Sequence, residues 1–241
     1  MNRAMYAAAS GMAAQQTQLE IVADNLANAD VAGFKGAAAT FADVRAGSIG
    51  LGTTSVGKHA VFAQGKLMRS GGPFDVAIDG PGFFVVERGR TRAYTRNGEF
   101  AREADGTLRN GAGWTLSGVR IPADALAVRV ERDGRVLVDT ANAKGRTIAR
   151  LRLASFASPE ALRSLGATMF APTDASGRPR LFTPGGHDGP TIAFGALERS
   201  NVSIVEAMMQ ILGAQRAYEA NAKGVQAADE MLRIANNIHR G

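Results

Sequence analysis

The sequence predicts an α+β protein, with a long helix at each end of the chain forming a coiled coil and a central, mainly antiparallel β-domain. Three observations carry this reading. Apolar residues recur every seven positions near the N-terminus, and they do so again near the C-terminus. Between these stretches, short apolar runs are cut by turn dipeptides. The expected organisation is a helical domain made of residues 1–33 and 201–241, an extended connector or hairpin over 34–71, and a β-domain over 72–200.

The first helix is expected over residues 3–30. Met5, Met12, Leu19 and Leu26 stand seven apart, and Ala8, Gln15 and Val22 follow the first three at a spacing of three. That is a heptad seam with one polar position, Gln15. Gly33 is the expected stop, because glycine tolerates the left-handed cap conformation. The last helix is expected over 203–239. Ile204, Ile211, Tyr218, Val225 and Leu232 stand seven apart, and Ala207, Ala214, Asn221, Ala228 and Ala235 follow each by three. One side of this seam is large and the other small. Ser203 and Glu206 have capping-box spacing at the helix start. The nine large positions of the two seams are the expected assembly contacts, since an incompletely covered helix pair needs neighbours to bury the rest. Gln15 and Asn221 are expected to set register there.

The middle of the chain reads as strands. Val76-Ala77-Ile78 ends at Asp79-Gly80, and Phe83-Phe84-Val85-Val86 ends near Gly89. Asn97-Gly98, Asp105-Gly106, Asn110-Gly111 and Asp133-Gly134 are turn or hairpin dipeptides. Leu126, Val128 and Val130 alternate with Ala127, Arg129 and Glu131, and Val136-Leu137-Val138 answers them across the Asp133-Gly134 turn. A short helix is expected over Pro159–Leu165 with Ser158 as its cap. Residues 34–71, rich in glycine, alanine and threonine, are expected to form a hairpin or loop.

Composition narrows the function. Of 241 residues, 45% are hydrophobic, enough for a real core. The 28 basic and 22 acidic residues are mixed along the chain, which argues against a nucleic-acid partner, whose binding concentrates cations on one face or tail. There is no cysteine, so disulfides and thiolate chemistry are excluded. No apolar run reaches the length of a membrane span, and no signal-peptide pattern opens the chain.

The sequence assigns no catalytic residue, cofactor or metal. Gly52-Thr53-Thr54-Ser55-Val56-Gly57-Lys58 has the spacing of a phosphate-binding P-loop, which gives a nucleotide-binding protein as the alternative from another class. However, His59 replaces the magnesium-binding Ser or Thr, and a turn-rich loop is the expected state of 52–58. His59, His187 and His239 share no metal-ligand spacing. Asp75 and Asp79 would fall on one face of a strand, but no nucleophile accompanies them, and strand-end or turn capping is the expected role.

Several segments resemble a known family. Asn25-Leu26-Ala27-Asn28 with Gly33-Phe34-Lys35 is similar to the N-terminal signature of flagellar rod, hook and hook-associated proteins. The run from Asp75 to Phe84 resembles the core motif of the rod and hook members, and Tyr94–Phe100 and Asp105–Leu108 resemble the next two segments. Ser200-Asn201-Val202 and Gln215–Glu219 resemble the C-terminal signature. The resemblance implies terminal helices in an inner coiled-coil layer with a β-domain outside. It also implies a subunit of the basal-body rod that polymerises with itself and with other rod and hook axial proteins into a torque-transmitting tube crossing the periplasm. Export through the flagellar type III apparatus, without a cleaved signal peptide, is implied as well. The opening Met1–Tyr6 and the short Phe41–Gly65 connector resemble the proximal-rod branch (FlgF-type). The C-terminal segment and Ile121–Leu126 resemble the distal-rod branch (FlgG-type). The proximal rod is the expected position and the distal rod the alternative.

Overall fold

The computed structural model describes residues 3–46, 49–186 and 189–238. His187 and His239 lie outside the described residues. The chain divides into two compact units. One contains residues 1–28, 37–59 and 202–241, and the other residues 29–36 and 60–201.

The first unit contains helix α1 (Arg3–Ala27), a hairpin of strands β1 (Ala37–Ala46) and β2 (Ile49–Ala60), and helix α2 (Ile204–Ile238). The 35 residues of α2 span about 52 Å at 1.5 Å per residue. Ser203 caps it: the Glu206 N–H donates to Ser203 Oγ at 3.3 Å, half of the capping box read from the sequence. The two helices pack on each other. Ile21 and Val22 are buried on α1, and Ala207, Ala214 and Ala228 on α2. Those alanines are the small side of the α2 seam. Gly11 meets Asn221 at close range, since a Cβ there would lie 2.9 Å from Asn221 Nδ2.

Helix α1 stops at Ala27, earlier than the expected stop at Gly33. The Asp24 carbonyl accepts both the Asn28 Nδ2–H at 2.8 Å and the Asn28 N–H at 3.2 Å, and the same N–H is shared with the Asn25 carbonyl at 3.2 Å, a tightening typical of a last turn. Asn25 pairs with the hairpin like a strand residue: its Nδ2–H donates to the Ala37 carbonyl and its Oδ1 accepts the Ala37 N–H, both at 2.8 Å.

The segment 52–58 is not a loop but part of strand β2. Consecutive N–H groups of a strand point to opposite sides, so they cannot converge on a phosphate. His59 sits near the end of the same strand, with Nδ1 3.4 Å from Thr40 Oγ1.

The second unit holds strands β3 (Leu67–Arg69), β4 (Val76–Asp79), β5 (Phe83–Arg88), β6 (Thr91–Thr95), β7 (Ala101–Arg102), β8 (Thr107–Arg109), β9 (Thr115–Arg120), β10 (Ala127–Val130), β11 (Arg135–Asp139), β12 (Arg146–Arg150), β13 (Leu153–Ser155), β14 (Arg163–Gly166), β15 (Met169–Ala171), β16 (Arg180–Phe182), β17 (Thr191–Phe194) and β18 (Ala196–Glu198). The main sheet runs β14-β15-β6-β5-β9-β8-β7, with β13 bridging β5 and β16. Strands β10-β11-β12 form a second sheet, while β4 pairs with β17 and β3 with β18. The pairings are antiparallel.

Strand β5 explains the main core. Phe84 and Val86 face one cluster with Ile78, Phe100, Trp114 and Leu153. Phe83 and Val85 face the other with Tyr94, Phe156 and Phe170. A strand covered on both faces reads as a continuous apolar run rather than an alternating one, which is why Phe83-Phe84-Val85-Val86 has no polar member. Each buried side chain of this size contributes about 1.5–3 kcal/mol. Edge-to-face ring pairs, such as Tyr94 with Phe156 at 4.8 Å, fix the packing further.

The β10–β11 turn falls at Asp133-Gly134 as read, with Val130 opposite Val136 and Val128 opposite Val138. The expected helix over 159–165 is replaced by one turn of 3₁₀-helix, Pro159–Ala161, followed by β14. Ser158 makes no side-chain cap there. Asn97-Gly98 lies after β6 and is not a hairpin turn. Asp75 precedes β4 and is buried, whereas Asp79 ends the strand exposed, so the two do not act as a pair on one face.

Two of the turns are set by aspartates. Asp105 Oδ1 accepts from the Thr107 N–H at 3.0 Å and from its hydroxyl at 2.7 Å. Asp133 accepts from the Arg135 N–H at 3.1 Å. These bonds favour the ionised form and hold both carboxyls below the ordinary value of 3.8. Their contribution to the turns is therefore complete above 3.8 and is lost as pH falls through the lower folded values. In an NMR pH titration both carboxyls should show midpoints below 3.8. Thr107→Val should return the Asp105 midpoint toward that value.

Candidate assembly interface

The heptad pattern of α2 separates into two surfaces. Its small side is buried against α1, and its large side is left largely open. Ile204 and Tyr218 are 41% and 43% exposed, and Ile211 and Val225 are half-buried. On α1, Met5, Met12, Leu19 and Leu26 are all half-buried. Leu232 lies on α2, with its side chain outside the description. The expected contact positions thus sit at the margin of the helix pair.

The sequence reading missed a second apolar row. Val205, Met208, Met209 and Leu212 are each more than half exposed. Their spacing of i, i+3, i+4 and i+7 places them on one face of α2, and that signal was present in the sequence. It was masked there because the seven-residue seam accounts for a helix face without them. An exposed apolar row of this size marks an interaction site. Covering four such side chains would contribute roughly 6–12 kcal/mol before the entropic cost of association.

The second unit is held by a buried ion network that the sequence reading did not foresee. Glu198 is 1% exposed. Its Oε1 accepts from Lys35 Nζ at 2.6 Å and from the Gly65 N–H at 2.8 Å, and its Oε2 accepts from Arg96 Nε at 2.7 Å. Lys35 Nζ also donates to the Ala63 carbonyl, and Arg96 Nη1 to the carbonyls of Gly80 and Gly82. Burial pulls the Lys35 ammonium below its ordinary value, and the Glu198 carboxylate opposes that shift. The backbone closes around the same point, for the Gly33 N–H donates to the Glu198 carbonyl at 2.7 Å. Gly33 has φ +67°, and a Cβ there would lie 2.3 Å from the Asn97 nitrogen. Only glycine fits both the left-handed conformation and the close approach. Asn201 completes the junction, accepting from the Gly36 N–H and donating to the Val61 carbonyl. Gly33-Phe34-Lys35, Arg96-Asn97-Gly98 and Glu198–Asn201 therefore meet at one place. Among the described residues, no group of three or more His, Asp or Glu side chains is placed to hold a metal ion, and no helix is long and apolar enough to cross a membrane.

Comparison with known proteins defines the class. Family models match three segments that together cover more than half of the chain: "Flagella basal body rod protein" over 5–35, "Flagellar hook protein FlgE/F/G D1 domain" over 77–138, and "Flagellar basal body rod FlgEFG protein C-terminal" over 194–238. The chain belongs to the flagellar basal-body rod protein family, a family of structural proteins of the basal body and not of enzymes. Among its relatives, the flagellar basal-body rod protein FlgG of Agrobacterium fabrum is 35% identical over 97% of this chain and 98% of its own length. FlgG of Borreliella burgdorferi is 34% identical over the full length of both chains. The flagellar hook protein FlgE of Helicobacter mustelae is 32% identical over 58% of this chain and 36% of its own length. These full-length relatives carry the FlgG name, which favours the distal-rod alternative over the FlgF-type expectation. Of the features that suggested it, the Met1–Tyr6 opening leads into α1, and the short Phe41–Gly65 connector concerns the length of the segment that holds β1 and β2, which varies more readily than the network above.

Proposed function

We propose that this chain is the distal-rod, FlgG-like subunit of the flagellar basal body, polymerising into the axial tube that carries torque from motor to hook. The observation that carries the proposal is the open apolar row Val205, Met208, Met209 and Leu212 on α2, beside the seam positions Ile204 and Tyr218. Neighbouring copies cover it, and in the polymer the terminal helices form a coiled-coil layer in which Met5, Met12, Leu19, Leu26, Ile204, Ile211, Tyr218, Val225 and Leu232 make the contacts. Head-to-tail contacts of this kind, repeated without ring closure, give a helical filament. The partners are other copies of the chain and the adjoining rod and hook proteins, and the export route is the flagellar type III apparatus. The alignments to FlgG relatives over nearly the whole chain support the distal position.

Two measurements test this. The Met209→Ser, Leu212→Ser double variant should melt like the wild type as a monomer yet fail to form filaments by electron microscopy, because both side chains are exposed. Filaments of normal yield would overturn the assembly role of this row. Expression in a strain lacking its distal-rod subunit should restore hooks, and expression in a strain lacking the proximal-rod subunit should not. The reverse result would return the chain to the proximal rod.

A further inference from the structure

Helix α1 has an open face of its own. Tyr6, Ala13 and Glu20 stand seven apart, Ala9, Gln16 and Ala23 follow each by three, and all six are exposed. This second heptad row lies beside the one that packs on α2. A helix face that stays in water is rich in charge, yet Glu20 is the only charged residue among the six. The open face of α2 is organised differently. It is apolar at both ends, with Met209 and Leu212 near the start and Met231 and Ile234 near the finish, each at least half exposed. Between them it carries Arg216, Glu219 and Lys223, all exposed. The chain leaves α1 and enters α2 at one place, where the Gly33 N–H donates to the Glu198 carbonyl. Further along, Gly11 lies beside Asn221. The two helices of one copy therefore run antiparallel. Copies in a polar tube point the same way, so α1 of one copy also runs antiparallel to α2 of the next.

We infer that the open face of α2 docks on the open face of α1 of a second copy, antiparallel, with Arg216 against Glu20. The inference rests on the rod reading above and names what covers the open face of α2. Charge complementarity selects the register. Setting Arg216 against Glu20 brings Leu212 beside Ala23, Lys223 level with Ala13, and Met231 beside Tyr6, where a thioether packs well on an aromatic ring. Sliding α2 by one heptad in one direction sets the Glu20 charge on Met209. Sliding it by one heptad the other way carries Met209 and Leu212 past the end of α1 at Ala27. One register of the three thus keeps both the ion pair and the apolar contacts. The alanines of α1 let the two helices approach closely, so that the large side chains of α2 enter as knobs.

The chain has no cysteine, so single introduced cysteines report contacts without background. Ala13 and Lys223 are exposed, and the monomers of Ala13→Cys and Lys223→Cys should melt like the wild type. Filaments assembled from a mixture of these two full-length variants should give, on oxidation, a dimer joined through positions 13 and 223, because opposed positions come within disulfide reach. Arg216→Cys in place of Lys223→Cys should give none, since one heptad is about 10 Å along a helix. Independently, Glu20→Arg and Arg216→Glu should each raise the critical concentration for polymerisation roughly two- to fivefold, and the double variant should return to the wild-type value. A link between 13 and 216 in place of that between 13 and 223, or a double variant no better than the single ones, would overturn this register. Filaments that form with neither link would overturn the docking and leave the rod reading standing. A wild-type chain that stays monomeric at all concentrations would overturn both.

Discussion

Glu198→Ala should destabilise the second unit by about 3–5 kcal/mol, the cost of removing one partner from a buried ion pair. The reason is local. Lys35 and Arg96, each 4% exposed, would be left as two buried cations, one on the Ala63 carbonyl and the other on those of Gly80 and Gly82, with no anion. The Gly65 N–H would lose its acceptor as well. Thermal or urea unfolding of the full chain reads this directly. Lys58→Ala is the control, because its pair with Asp24 is about half exposed on both sides and should contribute less than about 1 kcal/mol. Replacing all three network residues by apolar side chains of similar volume should recover most of the loss. If it does, the network gives specificity of pairing more than stability. A Glu198→Ala melt close to wild type would show that the cations find other partners, and the network would lose its central place.

Gly98→Ala should be nearly as damaging for a different reason. A Cβ at Gly98 would lie 1.6 Å from the Val76 carbonyl oxygen and 2.7 Å from its carbon. The two backbones are tied there by the bond from the Val76 N–H to the Gly98 carbonyl at 3.1 Å. One methyl group would have to push β4 off its neighbour, at about 3 kcal/mol or more. Gly57→Ala provides the contrast, since nothing lies within 4 Å of a Cβ there, and it should be neutral or slightly stabilising. Equal melts for the two alanine variants would remove the steric argument.

These two positions also show where sequence reasoning reached and where it stopped. Periodicity located both helices, because burial on one face repeats at the helical spacing whatever the partner is. Turn chemistry placed the Asp133-Gly134 hairpin, although Leu126, read as part of its first strand, lies outside β10 and is exposed. The same chemistry misread Asn97-Gly98, because a glycine needed for close approach looks like a glycine needed for a turn. The helix expected after Ser158 failed for a related reason: capping signals act locally, while pairing of β14 with β15 is a tertiary gain that overrides them. The 52–58 stretch was read as a loop from its glycines, but the hairpin partner that makes it a strand is invisible to a short window. Glu198 was beyond reach altogether. Its partners are 163 and 102 residues away, and no spacing rule links positions so distant. What pointed near it was the resemblance of the flanking segments to family signatures, without a physical reason for them. The charge network supplies that reason.

The position of Glu198 along the chain has a consequence for timing. Strands β17 and β18 close β4 and β3, and both follow the rest of the β-unit in sequence. A chain emerging from its N-terminal end therefore carries Lys35 and Arg96 without their anion, and two strands without their partners, until roughly four-fifths of it is available. Contacts that span such distances are slow to form. The unit is accordingly fastened last and from the far end, like a clasp. Truncations ending before residue 191 should not yield a smaller version of the fold but an open one, susceptible to proteases throughout.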